Sequence, residues 1–247
     1  MHRFHPLSFI ALVAALLLVV PARAQEPAAT SSAATHYLFA TAPPGTIMQT
    51  EVVDLAGQVM HGQWRAVLSR KQVGTQNGQS VYQWYLSIYA VDGTVYRVRY
   101  QSPGNGGPLS RVTHAAGNTK MWFPLQTVRI VGVAELMETG VQQLVVESHE
   151  MNADCGTSTV TAFMSNGKGN VVPAVTVRNG CALRATIARG NGKIRDAIVL
   201  SGPYYNKTAP MCCPTKAKAS AVLTYRNGTW TQTPNYFEFH VGKVPAD

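Results

Sequence analysis

Apolar residues in this chain come in short bursts, separated by Gly, Asn, Asp and Pro, and within the bursts they alternate with polar ones. Tyr82, Trp84, Leu86, Ile88 and Ala90 fall on one face of an extended segment, and Tyr96, Val98 and Tyr100 alternate with Arg97 and Arg99 across an Asp92-Gly93 turn. Period-two patterning predicts a sheet with one face buried and the other wet. Ala221, Leu223 and Tyr225 share a face near the end of the chain, and Trp230, past an Asn227-Gly228 turn, is placed to pack beside Tyr225. Val171 to Val177 and Ala182 to Ala188 read as a further hairpin around Arg178-Asn179-Gly180. Helical signal is slight. Glu135-Leu136-Met137-Glu138 offers one turn, and Thr113 to Gly117 is too short to stand alone.

A unit recurs. An apolar strand ends in Ser at Ala66-Val67-Leu68-Ser69, Val145-Val146-Glu147-Ser148 and Ile198-Val199-Leu200-Ser201. An irregular loop, a second strand, an Asx-Gly turn and a third strand follow each. The turns are Asp92-Gly93, Asn166-Gly167 and Asn227-Gly228, a dipeptide chemistry that tolerates the positive φ of two-residue hairpins. Lys168-Gly169 lengthens the middle one. The expected fold is therefore mainly β, an antiparallel meander of about three repeated three-strand units, forming a partial propeller-like or two-layered sheet.

The first residues break this pattern. Leu7 to Val20 is an apolar run of 14 residues, and Pro21-Ala22-Arg23-Ala24 supplies a small-x-small cleavage pattern. A run of that length falls short of the roughly 20 residues of a permanent membrane helix, so residues 1–24 read as a signal peptide. Residues 25–35, rich in Ala, Ser and Thr, read as a flexible lead-in. An N-terminal β unit is expected over 36–132 and disulfide-stapled β units over 133–247. The location is then periplasmic or secreted, with no transmembrane segment after signal removal.

After residue 24, 19 Lys and Arg face 12 Asp and Glu. That surplus favours an anionic envelope surface or a protein partner, and its cations read as scattered: Arg70-Lys71, Arg97 and Arg99, Arg111, Lys216 and Lys218. A specific nucleic-acid footprint would need a basic stripe with interleaved aromatics, so no such partner is expected.

Cys155, Cys181, Cys212 and Cys213 are the only cysteines. An even count in an exported chain implies two disulfides. Adjacent Cα atoms lie about 3.8 Å apart, below the roughly 4.4 Å that an ordinary bridge requires. Cys212 and Cys213 are therefore expected to pair with Cys155 and Cys181, in either arrangement.

The Ser-ending strands with their Asx-Gly hairpins resemble the blades of FG-GAP or VCBS-type repeats, which build β-propellers and often open on a calcium loop. The lead-ins here, Met137 to Gln142 and Gly190 to Arg195, lack the alternating acids that a hard cation needs, so the resemblance brings no metal site. A second resemblance covers about 40 residues. Tyr204-Tyr205, Met211-Cys212-Cys213-Pro214-Thr215, Leu223-Thr224-Tyr225 and Asn227-Gly228 look like the C-terminal signature of LppP/LprE-type secreted bacterial lipoproteins, though without the lipid-acceptor cysteine. It implies a bacterial envelope location and no chemistry.

Catalytic motifs are missing: no G-x-S-x-G, no phosphate loop with Lys-Ser/Thr. Ser148 and His149 are strand neighbours and should face apart. Glu147, Glu150 and Asp154 form the one close acidic cluster, beside His149. No catalytic residue, metal ligand or cofactor is assigned. The expected function is a non-catalytic envelope binding or structural module, with Tyr204, Tyr205, His149 and Asp154 as a possible binding loop. The alternative is an exported hydrolase with a loop-borne site, in which Glu147, His149, Glu150 or Asp154 would converge in a pocket.

Overall fold

The computed structural model describes residues 38–55, 64–76, 79–92, 95–102, 111–114, 120–123, 125–137, 141–150, 157–179, 182–191, 194–205 and 214–242. The expected leader and lead-in (1–35), all four cysteines and Asp154 lie outside them. Residues from Tyr37 to Asp247 make one compact unit.

The described segments are mainly β. In the first sheet, β2 (Thr46–Val53), β3 (Trp64–Gln76), β4 (Gln79–Asp92) and β5 (Val95–Gln101) pair antiparallel in chain order, with β1 (Leu38–Phe39) parallel to β5. The second repeats that order with β8 (Leu125–Ala134), β9 (Gln143–Glu150), β10 (Thr157–Ser165) and β11 (Val171–Asn179), and adds β16 (Glu238–Val241) at its edge. The third is β12 (Arg184–Ala188), β13 (Ala197–Tyr204), β14 (Lys216–Arg226) and β15 (Thr229–Thr233). A separate ribbon pairs β6 (Arg111–His114) with β7 (Lys120–Phe123).

Turn chemistry behaves as its residues dictate. Asn227 and Gly228, at φ 49° and 77°, close the two-residue hairpin between Arg226 and Thr229. Tyr225 and Trp230 are cross-strand partners with ring centroids 5.3 Å apart. In the longer middle loop the Asn166 side chain accepts the Lys168 and Asn170 N–H groups. Asp92, by contrast, is a paired strand residue opposite Val95 rather than a turn residue.

The second sheet is a shared wall. Leu144, Val146, Ile130 and Phe163 pack with Trp64, Ala66, Leu68, Leu86 and Ile88 of the first sheet. On its other side Val145, Val160, Ala162, Val175 and Val177 pack with Leu183, Ala185, Ile198, Leu200 and Leu223 of the third. Strands buried on both faces carry apolar residues at consecutive positions, which explains the unbroken Leu144-Val145-Val146.

Three expectations need correcting. Residues 171–177 and 182–188 do not form a hairpin: β11 pairs with β10 and β16, while β12 opens the next sheet. The first sheet has no simple wet face, because Val67, Tyr89 and Tyr96 are buried on the side away from the second sheet, with Phe39 stacked on Tyr89 at 4.6 Å. A register break between Ile88 and Tyr89 also separates Tyr100, which meets Phe163 of the second sheet, from Tyr96 and Val98. The three Ser segments do not end their strands as expected: β3, β9 and β13 run past Ser69, Ser148 and Ser201 to Gln76, Glu150 and Tyr204, although the three strands hold equivalent places in their sheets. Yet Leu144 and Val146 face the preceding sheet in β9, whereas Ile198 and Leu200 do so in β13. Ser148 therefore turns back toward the preceding sheet and Ser201 turns outward, because a one-residue slip exchanges faces.

The sheets are joined at their first strands, all three of which are sheet edges. Gln49 of β2 reads the backbone of β8: its Nε2 donates to the Ile130 carbonyl and its Oε1 accepts the Ile130 N–H, both at 2.9 Å. At the next junction the N–H of Ala185 in β12 donates to Glu147 (2.8 Å), and its carbonyl accepts from Arg129 of β8 (2.7 Å). A second latch recurs at the other end of these strands. Asp54 N–H donates to Gln142 Oε1 (2.9 Å) and Gln142 N–H to the Asp54 carbonyl (3.0 Å). Glu135 N–H likewise donates to Asp196 Oδ2 (3.1 Å) and Asp196 N–H to the Glu135 carbonyl (3.2 Å). Gly132, at φ 149°, lets Ile187 close on β8, where a Cβ would meet Ile187 Cδ1 at 3.1 Å.

If Gln49 satisfies the unpaired, covered edge of β8 at Ile130, Gln49→Leu should lower unfolding stability by about 2 kcal/mol, since two backbone groups lose their partners. Urea unfolding of the purified protein checks this, and a loss below about 0.5 kcal/mol, the size of an ordinary surface change, would rule out the latch.

Candidate functional site

Of the residues that sequence reasoning singled out, Asp154 lies outside the described residues, and His149, Tyr204 and Tyr205 each have a structural setting of their own. His149 Nδ1 lies 2.8 Å from Ser158 Oγ, its cross-strand partner. Ser158 is fully buried, so this pair cannot present a nucleophile to a substrate in solvent. Ser148 and His149 project to opposite faces of β9, as alternation requires. Tyr204 stacks on Tyr236 (4.9 Å) against the core, and Lys216 donates to the Tyr236 hydroxyl at 2.6 Å, so Tyr204 acts as a cover for the sheet end. Tyr205 is half-buried. Among the described residues no three His, Cys, Asp or Glu side chains group as a metal site, and no helix is long and apolar enough to cross a membrane.

Glu147 is the most constrained acid. It is 2% exposed, and its Oε2 accepts Arg129 Nη2 and the Ala185 N–H while Oε1 accepts Arg184 Nη1, all at 2.8 Å. Burial pushes its carboxyl up, but Arg129, the Ala185 N–H and Arg184 outweigh that and hold it below the ordinary glutamate value of 4.5. A general acid at neutral pH needs the opposite shift, so this carboxylate is a bracket between sheets.

The chemistry that stands open to solvent is cationic. Residues 182–237 carry eight Lys or Arg against the single Asp196; elsewhere after residue 24, eleven stand against eleven. The whole net charge of the chain beyond residue 24 thus belongs to the segment that builds the third sheet. Asp196 turns inward: burial pushes its carboxyl up, but the Gly190 and Glu135 N–H groups and the Arg189 guanidinium outweigh that and hold it low.

Register assigns the outward residues. With Ala185, Leu200, Ala221 and Leu223 facing the second sheet, the opposite face presents Arg184, Ser201 and Ser220 in one cross-strand row. Thr186, Val199, Val222 and Thr233 form the next row, Thr224 and Thr231 a third, and Arg226 and Thr229 the last. Lys218 lies diagonal to the first row. Its neighbourhood is a shallow depression of about 380 Å³ lined by Arg184, Ser201, Gly202, Lys218 and Ser220. The Arg184 side chain is 62% exposed even while it contacts Glu147. No Asp or Glu stands in these rows. The face is therefore an array of hydroxyl donors with cations at both ends, suited to hold anionic groups without desolvating them deeply. Charge counted per segment would have found it; charge read along the whole chain hides it.

The Glu147 bracket makes a pH prediction. Its folded-state carboxyl titrates below the unfolded one, so its stabilisation is complete above pH about 4.5 and is lost as pH falls through the folded value. Glu147→Gln should cost about 3 kcal/mol at pH 7, because it leaves Arg129 facing the junction without its counter-charge. The variant should also lose less stability than the parent between pH 5 and pH 2, as followed by denaturant midpoints at each pH. Parallel pH curves for the two proteins would show that Glu147 bears no such load.

No family model, no curated protein and no solved structure matches this chain.

Proposed function

We propose that the protein is an exported, non-catalytic envelope module that holds an anionic partner, an envelope polymer or surface, against the outer face of its third sheet. One observation carries the reading: the net positive charge is confined to residues 182–237, and the outward rows of that sheet hold cations and hydroxyls with no carboxylate. The leader-like residues 1–24 and the LppP/LprE-type signature at Tyr204 to Gly228 support an envelope setting, periplasmic or secreted. In that compartment the four cysteines form two disulfides, with Cys212 and Cys213 bridged to Cys155 and Cys181.

The three sheets are repeats of one unit in this reading, a partial propeller-like stack whose last member turns a polar face outward. Support comes from the shared four-strand order and from the two latches that recur at successive junctions. A terminal repeat with a polar outer face is what solubility demands of any such array. Here that face is also charged, and charge selects its partner.

Binding of fluorescent dextran sulfate tests the reading. The protein should bind it at low salt and lose affinity as salt shortens the screening length toward about 8 Å. Lys218→Glu combined with Arg226→Glu should weaken binding by about tenfold or more, whereas Lys71→Glu with Arg99→Glu, in the first sheet, should change it by less than about twofold. Equal losses in the two double variants, or no affinity at low salt, would defeat the assignment of the face.

A further inference from the structure

The upper end of the same face carries something that a purely ionic contact leaves unused. A cleft of about 520 Å³ runs between residues 194–197 and the C-terminal end of β14, lined by Ile194, Arg195, Asp196, Val222, Thr224 and Arg226 among others, with the Asp196 carboxylate engaged by Arg189 and the Gly190 and Glu135 N–H groups. Ile194 is 57% exposed and Val222 38% exposed. Both are large apolar side chains open to water, and both line this one cleft between two arginines.

The exposure of Ile194 is built in. Its N–H is held by the Asn191 side chain at 3.0 Å, and Asp196 ties the Gly190 N–H and Arg189 into the same loop. Gly190 packs so closely against the backbone of Ile194 and Arg195 that a Cβ there would overlap the Ile194 carbonyl. Across the cleft, Val222 sits in the outward rows of β14, between Val199 and Thr233. Arg195 makes a solvent-exposed pair with Glu135 at 3.0 Å, and Arg226 stands exposed beside the Asn227-Gly228 turn.

We propose that this cleft binds a single-chain anionic amphiphile, with a phosphate or carboxylate head near Arg226 and Arg195 and an aliphatic chain over Ile194 and Val222. The inference rests on the reading of the third sheet as the contact face and narrows it to a ligand class. A sugar polyanion would satisfy the arginines and leave both apolar side chains wet. A neutral apolar ligand would cover them and leave the Arg226 guanidinium unanswered, since Arg195 already meets Glu135. The cleft volume lies within the range of about 300–1,000 Å³ usual for small-ligand sites.

Calorimetry with dodecyl phosphate below its micelle concentration tests the cleft, with dodecyl maltoside and inorganic phosphate as tail-only and head-only controls. Dodecyl phosphate should bind about tenfold more tightly than either control. Ile194→Ser and Arg226→Gln should each weaken it about fivefold or more, and Val222→Thr, which keeps the side-chain shape, provides a third variant with little risk to folding. Thermal unfolding of each variant should match the parent. Phosphatidylcholine vesicles carrying single-chain lysophosphatidylglycerol, set against plain phosphatidylcholine vesicles, identify the source: Ile194-dependent binding to the anionic vesicles makes it a membrane lipid, and Ile194-dependent binding of the monomer alone makes it a free amphiphile. Dodecyl phosphate binding no tighter than inorganic phosphate, or a folded Ile194→Ser variant that binds as the parent does, overturns the cleft. If dextran sulfate still binds in that event, only this inference falls; if dextran sulfate also fails, the contact face falls with it.

Discussion

The buried edges of β8 and β12 are the constraint on which the rest of this molecule depends. Each is the first strand of its sheet, each abuts the sheet before it, and each has backbone N–H and C=O groups facing that neighbour with no strand to pair them. Buried backbone groups without partners are costly, so a side chain has to supply what a strand would. Gln49 does this for Ile130 with one amide, which carries both a donor and an acceptor in the right order. At Ala185 the same pair of groups is met by two residues, Glu147 accepting and Arg129 donating. The ion pair therefore replaces an amide at an equivalent junction, and its charge is a by-product of that backbone role.

This explains why the acid most suggestive of catalysis is unsuited to it. Glu147 spends both carboxylate oxygens on three donors, Arg129 beside it in its own sheet and Arg184 and the Ala185 N–H across the junction. Arg184 is the residue that connects the bracket to the surface. It leans on Glu147 from the outer face of the third sheet while remaining largely solvent-exposed, so the outward row and the internal junction share one side chain.

Much of the local structure was legible before the fold was seen. Alternation located the strands around residues 82–100 and 221–230, and Asn227-Gly228 specified its hairpin because both residues reach positive φ. The Ser-ending segments fell at equivalent places in three sheets. The misreadings have two causes. The breaks of register at Ile88/Tyr89 and in β8 at Ile130/Gly132 each displace a strand by one position, and one position moves a side chain to the other face. Tyr100 was assigned to the wrong face because no residue signal marks such a slip. Arg178-Asn179-Gly180 looked like a hairpin turn because turn chemistry does not distinguish a return within a sheet from a passage to the next.

By itself the amino-acid sequence determined the β character, the strand periods, the turn at Asn227-Gly228 and, when charge is counted by segment, the basic third unit. These follow from neighbours a few residues apart, whose φ preferences and alternation act before any packing occurs. Tertiary structure alone decided that the second sheet is covered on both sides, that Glu147 is a bracket, that Ser158 rather than Ser148 meets His149, and that Ile194 and Val222 share a cleft. Those outcomes join residues up to dozens of positions apart, and they depend on which face each strand turns to its neighbour once edge backbone groups have found partners.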